Sequence, residues 1–369
     1  MRSTLIDTAL ERATRAAART AGALPHRVQR LLAGRPIRVD GHELDVEIQL
    51  MLRMLTLLPH SDYASQPVAT SRAQIDAEAR LVAAPPIPME SVRDLTVPGP
   101  AGPIPARLYR PKGLTPRAPA VVYFHGGGFA LGGLDSHDTV CRFLAAHAEV
   151  AVLAVDYRLA PEHPYPAAVE DGLAAFRHVA MNAAELGIDP DRIAVAGDSA
   201  GGNLAAVLAQ VTAADGGPRP AFQLLFFPWV DMSTKRRSHE LFSTGYFLTD
   251  AQMDWYVEQY LPDHDGRTDP MASPLLADDL TGLPPAYIAV AGFDVLRDEG
   301  QAYAQRLREA GVAATLRTHH GLVHAFVNMT GYGSAGTHAL REAVGALRVG
   351  LSRDTAPSVR AGVPQAPVS

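Results

Sequence analysis

Beyond residue 91 the chain alternates between two patterns. Short apolar runs, "APAVVYF", "VAVLAVDY", "RIAVAG", "AFQLLFFPWV", "PAYIAVAG" and "AATLRTHH", have the length and β-branched content of strands. Between most of them lie stretches such as "PAAVEDGLAAFRHVAMNAAEL", "AGGNLAAVLAQVTAA" and "DEGQAYAQRLREAG", where apolar residues return every three or four positions, as along one helix face. "VRDLTV" and "PARLYR" precede these and read as a strand pair. The pattern predicts an α/β body: about eight strands in a mostly parallel central sheet, with helices on both faces.

Two regions break the alternation. Residues 1–91 read as helical and strand-free, with "DVEIQLMLRMLTLL" apolar on one face. Residues 232–265 read as helix and loop and hold Phe242, Tyr246, Phe247, Trp255, Tyr256 and Tyr260. Those rings fit a helix's core face and a pocket lining equally well. Both segments are expected to fold together as a helical cap over the sheet edge where the loops emerge. The chain thus divides into a cap segment (1–91), a body in two parts (92–231 and 266–353), a cap insertion (232–265) and a Pro-, Ala- and Ser-rich tail (354–369) expected to be disordered.

Composition narrows the field. With 369 residues, 47% hydrophobic and 20% charged, the chain is globular, and a net charge of −6 argues against nucleic-acid binding. The charge is uneven: residues 1–38 carry eight arginines against Asp7 and Glu11, a net +6, which leaves −12 on the rest. This opening fits an outer helix packed on the body, the reading adopted, and also a membrane-surface helix or an organellar presequence. "IQLMLRMLTLL", interrupted by Arg53, falls short of the roughly 20 apolar residues a membrane span needs. The single cysteine, Cys141, sits in an amphipathic helix pattern and is expected to be buried packing. A cytoplasmic enzyme or binding protein is expected.

The chemistry concentrates in two glycine-rich stretches. In "RIAVAGDSAGGNLAAVLAQV" an apolar strand ends, Gly197-Asp198-Ser199-Ala200-Gly201 follows, and a helix begins. This is G-x-S-x-G in strand–turn–helix context, an elbow that lifts Ser199 Oγ above the sheet. The bland reading, a glycine turn capping a helix, leaves the upstream "YFHGGGFALGG" unexplained. There, the N–H groups of Gly127 and Gly128 are expected, with that of Ala200, to receive an oxyanion, the glycines being needed so that no side chain blocks the substrate carbonyl. His125 reads as a loop-shaping residue beside Gly126. No Gly-Lys-Ser/Thr follows, which excludes a phosphate loop. A serine nucleophile needs a base and the base an orienting acid. Asp294 follows a strand in "PAYIAVAGFDVLRDEG", and His324 lies in a loop after the last strand in "THHGLVHAFVNM". Asp298 and Glu299, which also suit a helix's first turn, and His319 and His320, at the strand's end, are the rivals.

"HGGGF" (His125–Phe129), "DYRLAPEHPYPAA" (Asp156–Ala168), "GDSAGGN" (Gly197–Asn203), "GFDVLRDEG" (Gly292–Gly300) and "HAF" (His324–Phe326) occur in that order. Through them the chain resembles the bacterial hormone-sensitive-lipase-like family of α/β-hydrolases, in its GDSAG branch, and is similar to actinobacterial esterases described as lipases. The resemblance covers roughly residues 90–350. It implies the α/β-hydrolase fold, carboxylesterase activity on short to medium acyl chains, a cap built from the N-terminus plus an insertion, no cofactor, and Asp294 rather than Asp298 as the acid. The family usually has proline where Val295 stands, which predicts a softer loop around the acid. Asp198 belongs to the elbow, and Glu162, in "YRLAPEHPYP", is expected to satisfy local backbone donors. Phe129, Phe247 and Trp255 are the pocket candidates. The fourteen histidines show no ligand spacing, so no metal is expected. The expected partner is a small-molecule ester. A homodimer through the outer strand or helix is a family-level expectation, and the basic N-terminus offers peripheral membrane contact without insertion. Rival functions on one scaffold are a hydrolase of amides, lactones or carbamates, and a binding protein. The plant gibberellin receptors resemble this family but lack the working histidine, whereas His324 is present here.

Overall fold

A computed structural model describes residues 13–56 and 62–352. The tail, 354–369, and the first twelve residues lie outside it. Each predicted apolar run forms a strand: β3 (Ser91–Gly99), β4 (Gly102–Arg110), β5 (Ala118–Phe124), β6 (Ala151–Val155), β7 (Ile188–Asp198), β8 (Phe222–Phe226), β9 (Ala286–Phe293) and β10 (Ala314–Val323). They join in one sheet in the order β10-β9-β8-β7-β5-β6-β4-β3. From β6 to β10 every neighbour pair is parallel, and β4 pairs antiparallel with both β3 and β6. The strands β5, β6, β8 and β9 are almost wholly buried because helices cover both faces, which is why they read as continuous apolar runs.

The region before β3 is not strand-free. A two-residue hairpin, β1 (Arg38–Val39) and β2 (His42–Glu43), stands between the helices, turning through Asp40 at φ 55° and Gly41 at φ 79°. The helical reading fails there because two short polar-flanked strands carry no apolar period to detect. The hairpin sits against β10: His42 stacks on His320 at 4.1 Å, and the Asp45 N–H donates to Gly321 O at 2.9 Å. Around it run helical residues 13–22 (α1), then α2 (His26–Ala33), α3 (Val46–Leu55) and α4 (Val68–Val82). The Asp45 side chain caps α3 by accepting from the Glu47 N–H.

Body helices α5 (Asp138–Ala148), α6 (Ala167–Met181) and α7 (Ala200–Ala214) follow β5, β6 and β7. Cys141 is buried in α5, and burial pushes its thiol well above the ordinary range. The insertion supplies α8 (Arg237–Leu241) and α9 (Asp250–Tyr260), the latter opened by a Thr249/Gln252 capping box. Helices α10 (Arg297–Glu309) and α11 (Ala335–Gly350) complete the chain. The cap is pinned by Arg72 of α4, which donates to Ala130 O at 2.8 Å and Ala160 O at 2.9 Å and pairs with Glu162 at 2.6 Å. Glu162 therefore ties cap to body, and the Arg72 guanidinium holds its carboxyl below the ordinary range.

The sharpest packing constraint lies where β7 turns into α7. A Cβ on Gly201 would sit 1.9 Å from Phe124 O, and one on Gly197 would sit 2.3 Å from Gly201. Gly345, on α11, has nothing within 4 Å of its virtual Cβ. Gly201→Ala is expected to lower stability by about 1–3 kcal/mol through overpacking, whereas Gly345→Ala should raise it by about 0.5–1 kcal/mol. Chemical denaturation of the two variants side by side checks both.

Candidate active site

Ser199 occupies the tip of the β7–α7 turn at φ 54° and ψ −118°, a conformation few non-glycine residues adopt. The strain is held by three main-chain bonds. Its N–H donates to Phe226 O (2.9 Å), and its O accepts from Asn203 N (3.0 Å) and Trp229 N (3.2 Å). Asn203 then fixes the next loops by donating to Trp229 O and Ala272 O, each at 2.7 Å. Helix α7 starts at Ala200, so that residue's N–H belongs to the first turn, where donors lack intrahelical partners.

Asp198 is buried directly beneath. Its Oδ1 accepts from Tyr123 OH at 2.7 Å and from Gly126 N at 3.1 Å, and its Oδ2 lies 3.3 Å from His137 Nε2. Burial works to raise its pKa, but His137 and the Tyr123 hydroxyl outweigh that and hold the carboxyl below its ordinary value. A Cβ on Gly126 would fall 2.4 Å from Asp198 Oδ2, so only glycine allows this contact. His125 turns away from the reaction centre. Its ring stacks on Tyr157 at 4.3 Å, and its Nδ1 bonds Gly126 O at 2.8 Å.

Gly127 and Gly128 adopt φ 117° and φ 60°. The reason for glycine differs from the expected one. A Cβ at Gly127 would strike Leu131 O at 2.2 Å, and one at Gly128 would enter the Tyr256 ring of α9 at 2.1 Å. Protein, rather than substrate, fills the space a side chain would need.

His324 Nδ1 and Asp294 Oδ2 stand 2.8 Å apart, and the His324 ring packs on Phe227 at 4.5 Å. Asp294 Oδ1 accepts from Leu296 N at 3.0 Å, and the following loop is gripped by the cap: Ser238 Oγ donates to Val295 O at 2.5 Å. That bond stiffens the position where the missing proline predicted softness. Among the rivals, Asp298 accepts from Ser238 N, and Glu299 accepts from Val230 N and Asp231 N. His320 is stacked on His42, and burial drives His319 down to about 4.

One cavity of about 590 Å³ gathers Gly126, Gly127, Gly128, Asp198, Ser199 and His324. The body adds Trp229 and Met329, and the cap supplies a largely apolar wall: Met51, Leu52 and Leu55 of α3, Ile75, Ala79 and Val82 of α4, and Met253 and Tyr256 of α9. Glu78, bonded by Tyr63 OH, adds a carboxylate to that side, where Thr56, Thr249 and Gln252 also line the cavity. Phe247 lines the cavity at φ 77°. Phe129 and Trp255 are not among the residues lining it. Phe129 is fully buried and stacks on Tyr260 at 3.8 Å, a contact that seats the insertion on the body, and Trp255 packs on Tyr256. The aromatic set thus splits, with Phe242 and Tyr260 in the core and Phe247 and Tyr256 on the wall. The sequence reading missed the α3 and α4 wall residues, although the apolar face of "DVEIQLMLRMLTLL" carried the signal, and it missed His137 in "DSHD". Among the described residues no group of three or more His, Cys, Asp or Glu is placed to hold a metal ion.

Residues 121–328 match the profile of an alpha/beta hydrolase fold family. The carboxylic ester hydrolase LipN of Mycobacterium tuberculosis is 46% identical over 338 residues, covering 89% of either chain. The ethyl acetate hydrolase of Pseudomonas putida is 40% identical over 263 residues, 70% of this chain and 83% of that one. Among solved structures, an ester-hydrolase from the metagenome of Lake Arreo, in complex with a bipyridine phosphonate derivative, superposes with a TM-score of 0.81. It is 42% identical and spans 83% of this chain and 98% of its own.

The buried imidazole behind the glycine loop has a consequence for acid stability. Burial, helped by His137 nearby, drives His125 down from an ordinary 6.5 to about 3. Between those values the unfolded chain binds a proton that the native state refuses, so stability falls as pH drops through the window. This one group is expected to contribute up to about 1.4 kcal/mol per pH unit there. His125→Asn should flatten that slope, read by urea denaturation from pH 6.5 down to about 4.

Proposed function

The chain belongs to the hormone-sensitive-lipase-like branch of the alpha/beta hydrolase fold family and is a carboxylic ester hydrolase; from that premise we propose that Ser199, His324 and Asp294 form its catalytic triad. The observation that carries this reading is the convergence of a strained serine and an Asp294-bonded histidine on one cavity, facing two positive-φ glycines.

Ser199 Oγ attacks the ester carbonyl carbon while His324 Nε2 takes its proton. Asp294 holds the Nδ1–H tautomer and stabilises the imidazolium that forms. The carbonyl oxygen gains negative charge against the N–H groups of Gly127, Gly128 and Ala200, where each donor is worth about 10²–10³ in rate. Collapse of the tetrahedral species expels the alcohol, which receives the proton from His324. Water, activated by the same imidazole, then frees the acid and restores Ser199. No step requires a cofactor. His125 takes no proton in this cycle, because its low pKa keeps it neutral at working pH.

The cavity's volume and apolar cap wall support esters with short to medium acyl chains as substrates. A cytoplasmic location is part of the same proposal, supported by one buried thiol and by the absence, among the described residues, of a helix long and apolar enough to cross a membrane. A homodimer through an outer strand or helix remains the expected assembly.

Ser199→Ala is expected to abolish p-nitrophenyl ester hydrolysis and labelling by a fluorophosphonate probe, and Asp294→Asn to lower kcat about 10⁴-fold with KM little changed. Across chain lengths the wild type should peak at short acyl groups. Activity appearing only on emulsified long-chain triglycerides would overturn the substrate assignment, and an unlabelled Ser199 would overturn the triad.

A further inference from the structure

Helix α2 is built inside out. Val28, Leu31 and Leu32 share one face and are 39%, 80% and 46% exposed, while the opposite face buries Gln29 and Ala33. The Gln29 amide is completely enclosed and donates to Gly22 O at 2.9 Å. A helix whose only role was to cover the cap would turn its leucines inward and its glutamine to water. The outward leucines therefore point to a second apolar phase.

Charge identifies that phase. Residues 13–56 carry seven arginines against Asp40, Glu43, Asp45 and Glu47. Arg27 and Arg35 flank the leucine face and are exposed. Arg30 and Arg38 share Glu43, at 2.9 and 2.8 Å. Arg53 caps the helix by donating to Leu32 O at 3.0 Å. A basic rim around exposed leucines complements an anionic lipid surface: guanidinium groups reach phosphates while the side chains between them enter the acyl boundary. Residues 27–38 hold Arg27, Arg30, Arg35 and Arg38 and no acidic residue, so the positive charge is concentrated on α2 and the turn that follows it.

We propose that α2 is a docking face for an anionic phospholipid bilayer. The packing beneath it gives this a role. Ala33 of α2 packs with Val46, Leu50 and Met54 of α3, and the other side of α3 presents Met51, Leu52 and Leu55 to the cavity. Docking places the cavity's cap wall one helix away from the lipid in which apolar esters concentrate. The inference stands independently of the triad, since it concerns a surface that no catalytic group shares.

The test is co-sedimentation of the full chain with phosphatidylcholine vesicles, with and without phosphatidylglycerol, alongside two double variants, Leu31→Ser/Leu32→Ser and Arg27→Glu/Arg35→Glu. The wild type should bind the anionic vesicles, weaken as salt is raised, and bind pure phosphatidylcholine at least about tenfold less well. Each double variant should lose about tenfold or more in binding, with melting temperature and hydrolysis of soluble p-nitrophenyl acetate unchanged. No binding to anionic vesicles, or binding undiminished in the leucine variant, overturns the proposal. So does a dimer that the leucine variant dissociates, since a second copy of the chain would then cover the face.

Discussion

A single buried carboxylate joins the two halves of the reaction centre. Asp198 ends the strand that delivers Ser199, and its oxygens reach Tyr123 on β5, the Gly126 amide that opens the glycine loop, and His137 behind it. An unpaired charge in that place would cost several kcal/mol, so the surrounding donors hold the loop to the elbow as firmly as the desolvation demands. The bare backbone contact of Gly201 with Phe124 O makes the same junction from the other side. The proposed nucleophile and the proposed oxyanion donors are thereby fixed to each other by the sheet's interior, with little left to loop mobility.

The body was legible in the sequence because buried parallel strands announce themselves: "APAVVYF" and "PAYIAVAG" have no other stable disposition than the middle of a covered sheet. The elbow was legible because its chemistry restricts residue size, and Asp294 and His324 because each follows a strand. What sequence could not assign was direction within the cap. Phe129 sits in the family's best-marked motif yet points into the seam with Tyr260, while Tyr256, one of six unremarkable rings, takes the space beside Gly128. Periodicity says which residues share a face and is silent on what that face meets. Helix α2 shows the limit most clearly, since its apolar stripe would be taken for its buried side. The small hairpin β1–β2 escaped because four residues hold no period at all.

The cap's two contributions are anchored differently. Helices α3 and α4 bring an apolar wall; Arg72 holds α4 at the body's Ala130, Ala160 and Glu162, and Glu47 holds α3 by accepting from the Ser334 and Ala335 N–H groups. The insertion is bound by polar contacts at its base: His239, held within the insertion at 2.7 Å from Asp250, lies 3.8 Å from Glu299 of α10, and Ser238 spans to Val295 and Asp298. Burial lifts Glu299 to about 7 even though its Oε1 accepts two main-chain N–H groups, which marks how dry that base is.

The bond from Ser238 to Val295 has an evolutionary corollary. The residue gripping the loop of Asp294 belongs to the same insertion that shapes the pocket through Phe247 and Tyr256, so remodelling that segment for a new ester also retunes the tilt of the imidazole. The N-terminal helices carry ties of their own: the Asp45 N–H that opens α3 donates to Gly321 O, and the Glu47 carboxylate accepts from the Ser334 and Ala335 N–H groups, on either side of His324. Divergence among relatives, and laboratory selection for altered preference, should accordingly accumulate first at apolar wall side chains of α3 and α4 such as Met51, Leu55 and Ile75, and spare the polar ties beneath them.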